Sequence, residues 1–463
     1  MTLIDTAAFQ APLGAEGGGR DGGGNAPFLR PRDLMALVCQ PRPPDHDSVV
    51  VAGNGIGALT FAARLARSPE YAGKVVVAAP PISETRRLIS GVSLRGRAAD
   101  FIGDAIGIGT QELLASVCGA GRPLPTVHRR SSSLAQRNAD GSWQFAPARP
   151  WRERRWRIRP GAQRGATGEP ALPPALAYGL RNSQIVATIW DLVSGLGIQR
   201  IEEMPRSAAE MRAMAPGSRP LLVNASSDAR LLGAAPKQPA QMILASQVPF
   251  LEQPVGAVHP LQPGTAYAPL VRRQGAIDVG YFTPFADPLS PNASWYGLVT
   301  RVLPSDSSFD PYRELEAMTE ALFGIGEALG LTPDDPANTL GCALVPSAPD
   351  WGSIRAAPGT LELRRAYFGG APGFYMDGML SAAAGGLLAA RAVLSGTDPD
   401  LVVRRALRRL HWQILLRRLE ATRVPLLSDR LAQVNRALAM AFPHRSVRRA
   451  WSEAAEADRI MAP

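Results

Sequence analysis

The sequence predicts an α/β fold: a parallel sheet covered on both faces, an inserted, mainly antiparallel β-sheet, and a C-terminal helical extension. Three observations predict it. Two continuous apolar runs, 48–52 and 74–79, flank a glycine-bearing turn and a helical pattern with Leu59, Ala62, Ala63 and Ala66 on one face. Strands without polar alternation are what a sheet buried on both faces requires. Segments 241–249, 276–284 and 294–302 alternate apolar and polar residues, the period of antiparallel strands. Residues 400–450 follow a helical pattern rich in arginine, broken at Pro425.

A length of 463 residues suits two interleaved domains with extensions. Residues 1–44 read as a flexible N-terminal tail, with glycine-rich 17–24 and proline-rich 41–44. The doubly wound domain takes 45–235 and 345–398, the inserted sheet 236–344, and the C-terminal helical region 399–463. Residues 91–109 read as a buried helix and a turn. Polar, Pro-bearing 129–164, with Trp151 and Trp156 among arginines, reads as an insertion or mobile loop. A helix at 184–194 leads to strands at 198–202 and 220–224. A further helix covers 312–329. A strand at 374–376 precedes a small-residue helix at 380–394.

Composition excludes several classes. Cys39, Cys118 and Cys342 form no CxxC, and the five histidines form no HExxH, so neither a disulfide scaffold nor a metal site is expected. No run of about 18 apolar residues is present, so no membrane span is expected. Residues 1–25 lack the pattern of a secretory signal, and a cytoplasmic location is the expectation. The net charge is +10, and Lys74 and Lys237 are the only lysines among 50 basic residues. Arginine pairs carboxylates through two parallel hydrogen bonds, which suits acidic partners; codon bias in a GC-rich genome accounts for the same excess. The Trp–Arg stretch 151–159 lies in no nucleic-acid-binding motif, so no nucleic acid partner is expected. The C-terminal leucines and arginines fit a membrane-surface face, or a packed helix with a solvated side.

The sharpest motif is Val49-Val50-Val51-Ala52-Gly53-Asn54-Gly55-Ile56-Gly57-Ala58, a GxGxxG/A loop between an apolar strand and a helix. Gly53 permits a tight turn, Gly55 lets the backbone approach a pyrophosphate, and Ala58 allows close helix–strand packing. The helix start then offers N–H groups and the positive end of its dipole to phosphate. This is a Rossmann-type dinucleotide site. The carboxylate expected at the end of the second strand is missing: the place reads Ala78-Ala79-Pro80-Pro81, and the next acid is Glu84, so either Glu84 reaches back or another group binds this ribose.

Three further segments resemble the FAD-dependent aromatic monooxygenases of the para-hydroxybenzoate hydroxylase type. They are Arg86-Arg87-Leu88-Ile89-Ser90-Gly91-Val92-Ser93-Leu94-Arg95-Gly96-Arg97, Leu221-Leu222-Val223-Asn224-Ala225-Ser226-Ser227, and Gly373-Phe374-Tyr375-Met376-Asp377-Gly378. Ser226 and Ser227 stand where threonine and glycine are usual, and Asp377-Gly378 inverts the usual Gly-Asp order. The resemblance implies an FAD site built from Gly53, Gly55, Ile56, Gly57, Ala58, Arg87, Arg97, Ala225, Ser226, Asp377 and Gly378. Gly385 and Gly386 would bring backbone N–H groups to the flavin's pyrimidine edge.

The resemblance further implies reduction of FAD by NAD(P)H or a separate reductase. O2 then gives a C4a-hydroperoxide that hydroxylates an aromatic ring, with no catalytic side chain named. One subfamily, which matures the tryptophylquinone subunit of quinohaemoprotein amine dehydrogenase, acts on a tryptophan within a small polypeptide; the basic composition would suit an acidic protein substrate. Related tryptophan halogenases carry WxWxIP and a catalytic lysine, and Trp156-Arg157-Ile158-Arg159-Pro160 does not match, so halogenation is disfavoured. An FAD dehydrogenase or oxidase, a lipid-modifying flavoenzyme at a membrane surface, and a non-catalytic flavin binder are the alternatives.

Overall fold

The computed structural model describes residues 45–81, 94–119, 122–131, 133–147, 175, 177–233, 241–253, 261–273, 276–288, 290–304, 310–335, 341–346, 354–355, 357–366 and 378–403. The expectations placed on Glu84, Arg87, Trp151, Trp156, Lys237, Asp377, strand 374–376, the tail 1–44 and residues 404–463 lie outside them.

The chain begins as the apolar runs dictate. Strand β1 (Ser48–Ala52) and β2 (Val75–Ala78) flank helix α1 (Ile56–Ala66), and every residue of both strands is buried. A short β3 (Leu94–Arg95) opens directly into α2 (Gly96–Ile106), and α3 (Thr110–Cys118) follows a turn at Gly107, where φ is +91°. The strands β4 (Thr126–Val127), β5 (Arg129–Ser131), β6 (Ser133–Arg137) and β7 (Trp143–Pro147) come next. After β8 (Ala177–Tyr178) come α4 (Asn182–Val193), β9 (Gln199–Ile201), α5 (Ala208–Ala213) and β10 (Pro220–Asn224).

The second half is strand-rich: β11 (Gln241–Glu252), β12 (Thr265–Tyr267), β13 (Leu270–Arg273), β14 (Ala276–Pro284) and β15 (Trp295–Pro304). Helix α6 (Pro311–Ala328) starts sharply because Asp310 accepts hydrogen bonds from the Tyr312 and Arg313 N–H groups and Pro311 sits at its first position. Then come β16 (Leu331–Pro333), β17 (Gly341–Pro346), β18 (Thr360–Leu361) and helix α7 (Gly378–Leu394).

Two sheets carry the fold. The parallel sheet has the order β18-β10-β1-β2-β9, with β1 paired to both β2 and β10. The order reverses between β1 and β10, the topological switch point where doubly wound sheets bind ligands beyond the strand ends. Helices α1, α2 and α7 and their neighbours bury one face, around Leu59, Phe61, Ile102, Leu387 and Leu388; Met211 of α5 and Leu231 bury the other. The second sheet has ten strands, with long antiparallel pairings of β15 to β11 and to β14. Its core packs Phe250, Phe282 and Val299 against Met318, Leu322 and Ile325 of α6. The α/β class expected from sequence is the one observed.

One expectation is corrected here. Residues 129–147, read as part of a loop, supply β5, β6 and β7 to the larger sheet, where β5 and β6 pair in parallel with β12 and β13. The β12 partner of β5 and the β13 partner of β6 lie more than a hundred residues away, where local polarity gives no sign of them, while β6 and β7 pair locally as a hairpin. Among the described residues no helix is long and apolar enough to cross a membrane, and no cluster of ligands fit for a metal occurs.

Candidate functional site

The glycine loop sits at the switch point. The Gly53 N–H donates to the Ala78 carbonyl at the end of β2 (2.9 Å), and the Ala225 N–H, just past β10, donates to the Ala52 carbonyl (2.9 Å). The turn is thus pinned from both sides. Gly53 has φ +117°, and a Cβ there would lie 2.9 Å from the carbonyl carbon and oxygen of Ala225. Only glycine fits that backbone and that space.

Gly55 differs. It is extended, with φ −71°, and precedes α1 as its N-cap without a side-chain cap. Among the described residues, a Cβ on Gly55 would meet no heavy atom within 4 Å. The first intrahelical bond runs from the Leu59 N–H to the Gly55 carbonyl (3.0 Å), and the first turn holds no acidic residue. The N–H groups of Ile56, Gly57 and Ala58 therefore precede the helical ladder, at the positive end of its dipole. Open space over Gly55 at the start of a helix is what a pyrophosphate cradle requires. The residues present fit the phosphates of a dinucleotide.

The other glycines hold helices together. A Cβ on Gly57 would approach the Ala382 carbonyl oxygen of α7 at 3.1 Å. On Gly386 it would overlap the Gly57 carbonyl and stand 3.2 Å from the Phe61 nitrogen, and on Gly385 it would overlap the Ala366 side chain. Helix α7 starts at Gly378, so Gly385 and Gly386 lie beyond its first two turns and are buried. Of the pair expected to bring N–H groups to the flavin, Gly386 lets α1 and α7 approach backbone to backbone, and Gly385 makes room for Ala366. The first-turn N–H groups of α7 belong to Gly378, Met379, Leu380 and Ser381. Ile56 and Ala58 are buried at the start of α1, and Arg97 falls in α2.

The turn after β10 is ordered by Asn224. Its Oδ1 accepts from the Ser226 N–H (3.1 Å) and Ser226 Oγ (2.8 Å), while its Nδ2 donates to the Asp228 carbonyl (2.7 Å). This fixes Ala225 and Ser226 against Gly53. Asn224 Nδ2 also donates to Glu362 Oε2 (3.2 Å), which accepts from Arg364 Nε (2.7 Å).

Sequence reading missed Glu362. It follows β18 directly, level with Asn224, because Leu222 pairs with Thr360 and Val223 with Leu361. Glu362 is fully buried, and its Oε1 has no hydrogen-bond partner among the described residues. Burial pushes its carboxyl above the usual range, and the neighbouring Arg364 pulls it back. An acid inside the apolar run Thr360-Leu361-Glu362-Leu363 was the available signal.

Among the described residues, no acid directly follows the end of β2. Ala78 and Ala79 are buried, and the Asn54 Nδ2 donates to the Pro80 carbonyl (3.0 Å).

No protein-family model and no curated protein sequence matches the chain. Solved structures match in fold. The native structure of FqzB superposes with a TM-score of 0.52 at 11% identity, over 91% of this chain and 95% of FqzB. A variant of the halogenase PltM in complex with FAD gives a TM-score of 0.50 at 12% identity, over 88% of this chain and 85% of PltM. At such identities the likeness is one of fold.

Proposed function

We propose that this chain is an FAD-dependent oxidoreductase of the aromatic monooxygenase type. The observation that carries the reading is the open space over Gly55, set at the switch point of the parallel sheet at the start of α1. The fold shared with PltM, which was determined with FAD bound, supports FAD over other dinucleotides.

Ile56, Gly57 and Ala58 would hold the pyrophosphate through backbone N–H groups, and Gly53 and Gly55 keep side chains out of its way. The turn from Asn224 to Asp228 walls the other side. Bound FAD would supply the redox chemistry, with NAD(P)H or a separate reductase as electron source and O2 as co-substrate. The chain's own work is to bind, to orient and to exclude water. The substrate is an aromatic ring. The net charge of +10 favours an acidic carrier, and a tryptophan within a small acidic protein fits that charge.

Purified protein should be yellow, with absorbance near about 450 nm. Protein that is colourless and takes up no added FAD would sink the proposal. Reduction followed by labelled O2, with a tryptophan-bearing acidic peptide and bromide present, separates the chemistries. Label in the product supports a monooxygenase, brominated product a halogenase, and peroxide alone an oxidase. Retention of the peptide at low salt and release at high salt tests the basic surface.

A further inference from the structure

A dinucleotide site in a doubly wound sheet normally binds its adenosine ribose through a carboxylate at the end of the second strand. Here that strand ends in Ala78-Ala79-Pro80-Pro81, with the two alanines buried. We propose that Asn54, inside the glycine loop, supplies the missing acceptor and takes the hydrogen bond from the ribose of the nucleotide's adenosine half. This rests on the dinucleotide reading of the loop.

The geometry argues for Asn54 in three steps. Its side chain already spans from the loop to the end of β2, the interval a strand-end carboxylate would bridge from the opposite direction, and its Nδ2 lies 3.0 Å from the Pro80 carbonyl oxygen. A carbonyl only accepts, so this bond fixes which way the amide points: Nδ2 toward Pro80, Oδ1 away from it. Oδ1 is then an oriented acceptor between Gly53 and Gly55, on a half-exposed side chain beside the cradle. Pro80 and Pro81 have no N–H, so β2 donates nothing to the ladder past Ala79. The site therefore exchanges a charged acceptor for a neutral one held by the backbone, at the cost of the extra strength of a charge-assisted bond.

Among the described residues, the competing acid is Glu202. It follows β9, where Ile201 pairs with Ala78, and is exposed one strand further from the loop, about 4.8 Å away.

The experiment compares wild type, Asn54→Ala and Glu202→Gln as apoproteins titrated with FAD, with FMN, which lacks the adenosine, and with ADP, which lacks the flavin. Loss of one neutral hydrogen bond should weaken FAD and ADP by roughly fivefold in Asn54→Ala and leave FMN unchanged, with Glu202→Gln like wild type throughout. Equal weakening of FAD and FMN would make Asn54 a support of the loop and overturn the proposal. Selective loss of FAD and ADP in Glu202→Gln, with Asn54→Ala unaffected, would overturn it in favour of the glutamate. Wild type that binds neither FAD nor ADP would remove the dinucleotide reading itself, a distinct result.

Discussion

Gly53 and Gly55 stand two residues apart in one loop, yet alanine should act on them in opposite ways. In Gly53→Ala the new Cβ must adopt φ +117° and lie 2.9 Å from Ala225 backbone atoms. Strained backbone costs on the order of 1–3 kcal/mol. Overlap in a packed site adds about 1–3 kcal/mol. A loss of about 3 kcal/mol lowers Tm by roughly 6–12 °C for a domain of this order. In Gly55→Ala the φ of −71° suits alanine, and no atom lies within 4 Å of the added methyl. Exchanging glycine for alanine at an N-cap costs at most about 1 kcal/mol. The apoprotein should therefore melt within a few degrees of wild type.

Its FAD affinity should nevertheless fall at least tenfold, because the methyl takes the place a pyrophosphate oxygen needs. Calorimetric melting of the two apoproteins and fluorescence titration with FAD read both quantities. If Gly55→Ala binds FAD as tightly as wild type, the space over Gly55 is not the phosphate cradle. If Gly53→Ala melts with wild type, the strain argument for the turn is wrong.

Three further outcomes follow from the same geometry. Gly386→Ala should destabilise by about 2–3 kcal/mol, since its Cβ would overlap the Gly57 carbonyl where α1 and α7 cross; urea melts measure it, and a neutral result would place the two helices further apart. Asp278→Ala should cost about 3–5 kcal/mol, because it strips fully buried Arg301 of a two-oxygen partner at 2.9 and 3.1 Å, leaving Glu314 on the other side; an unchanged denaturation midpoint would refute it. Glu362 has its carboxyl raised by burial, so it favours the folded state when protonated and loses that contribution as pH rises through its folded pKa. Glu362→Gln should therefore remove a decline in stability that wild type shows above the ordinary carboxylate range; identical pH–stability curves would dismiss a titrating Glu362.

Much of the parallel half was legible in the sequence. Strand 48–52, the loop, the helix behind it and strand 220–224 are local patterns: an apolar run, a glycine spacing, a turn. Each is decided by neighbouring residues, so one stretch of chain suffices to see it. The same holds for 276–284 and for α6, with its Asp310 cap and Pro311 start. The chain by itself also showed that Ala78 to Pro81, the end of the second strand, contain no acid.

Long-range pairing decided the rest. Residues 129–131 become a strand because β12, more than a hundred residues on, lies alongside, not because they look like one. Gly55 and Gly57 are alike in sequence; only the third dimension gives one open space and the other the Ala382 carbonyl. Glu362 joins Asn224 across 138 residues, a link with no trace in local pattern. Asn54 is an arbitrary letter in a glycine motif until the Pro80 carbonyl fixes its amide. Sequence sets what each segment can form, because backbone propensity and hydrophobic period are local. Tertiary structure sets which glycine faces a ligand and which faces a neighbour, because a Cβ is excluded only by atoms that folding brings within reach.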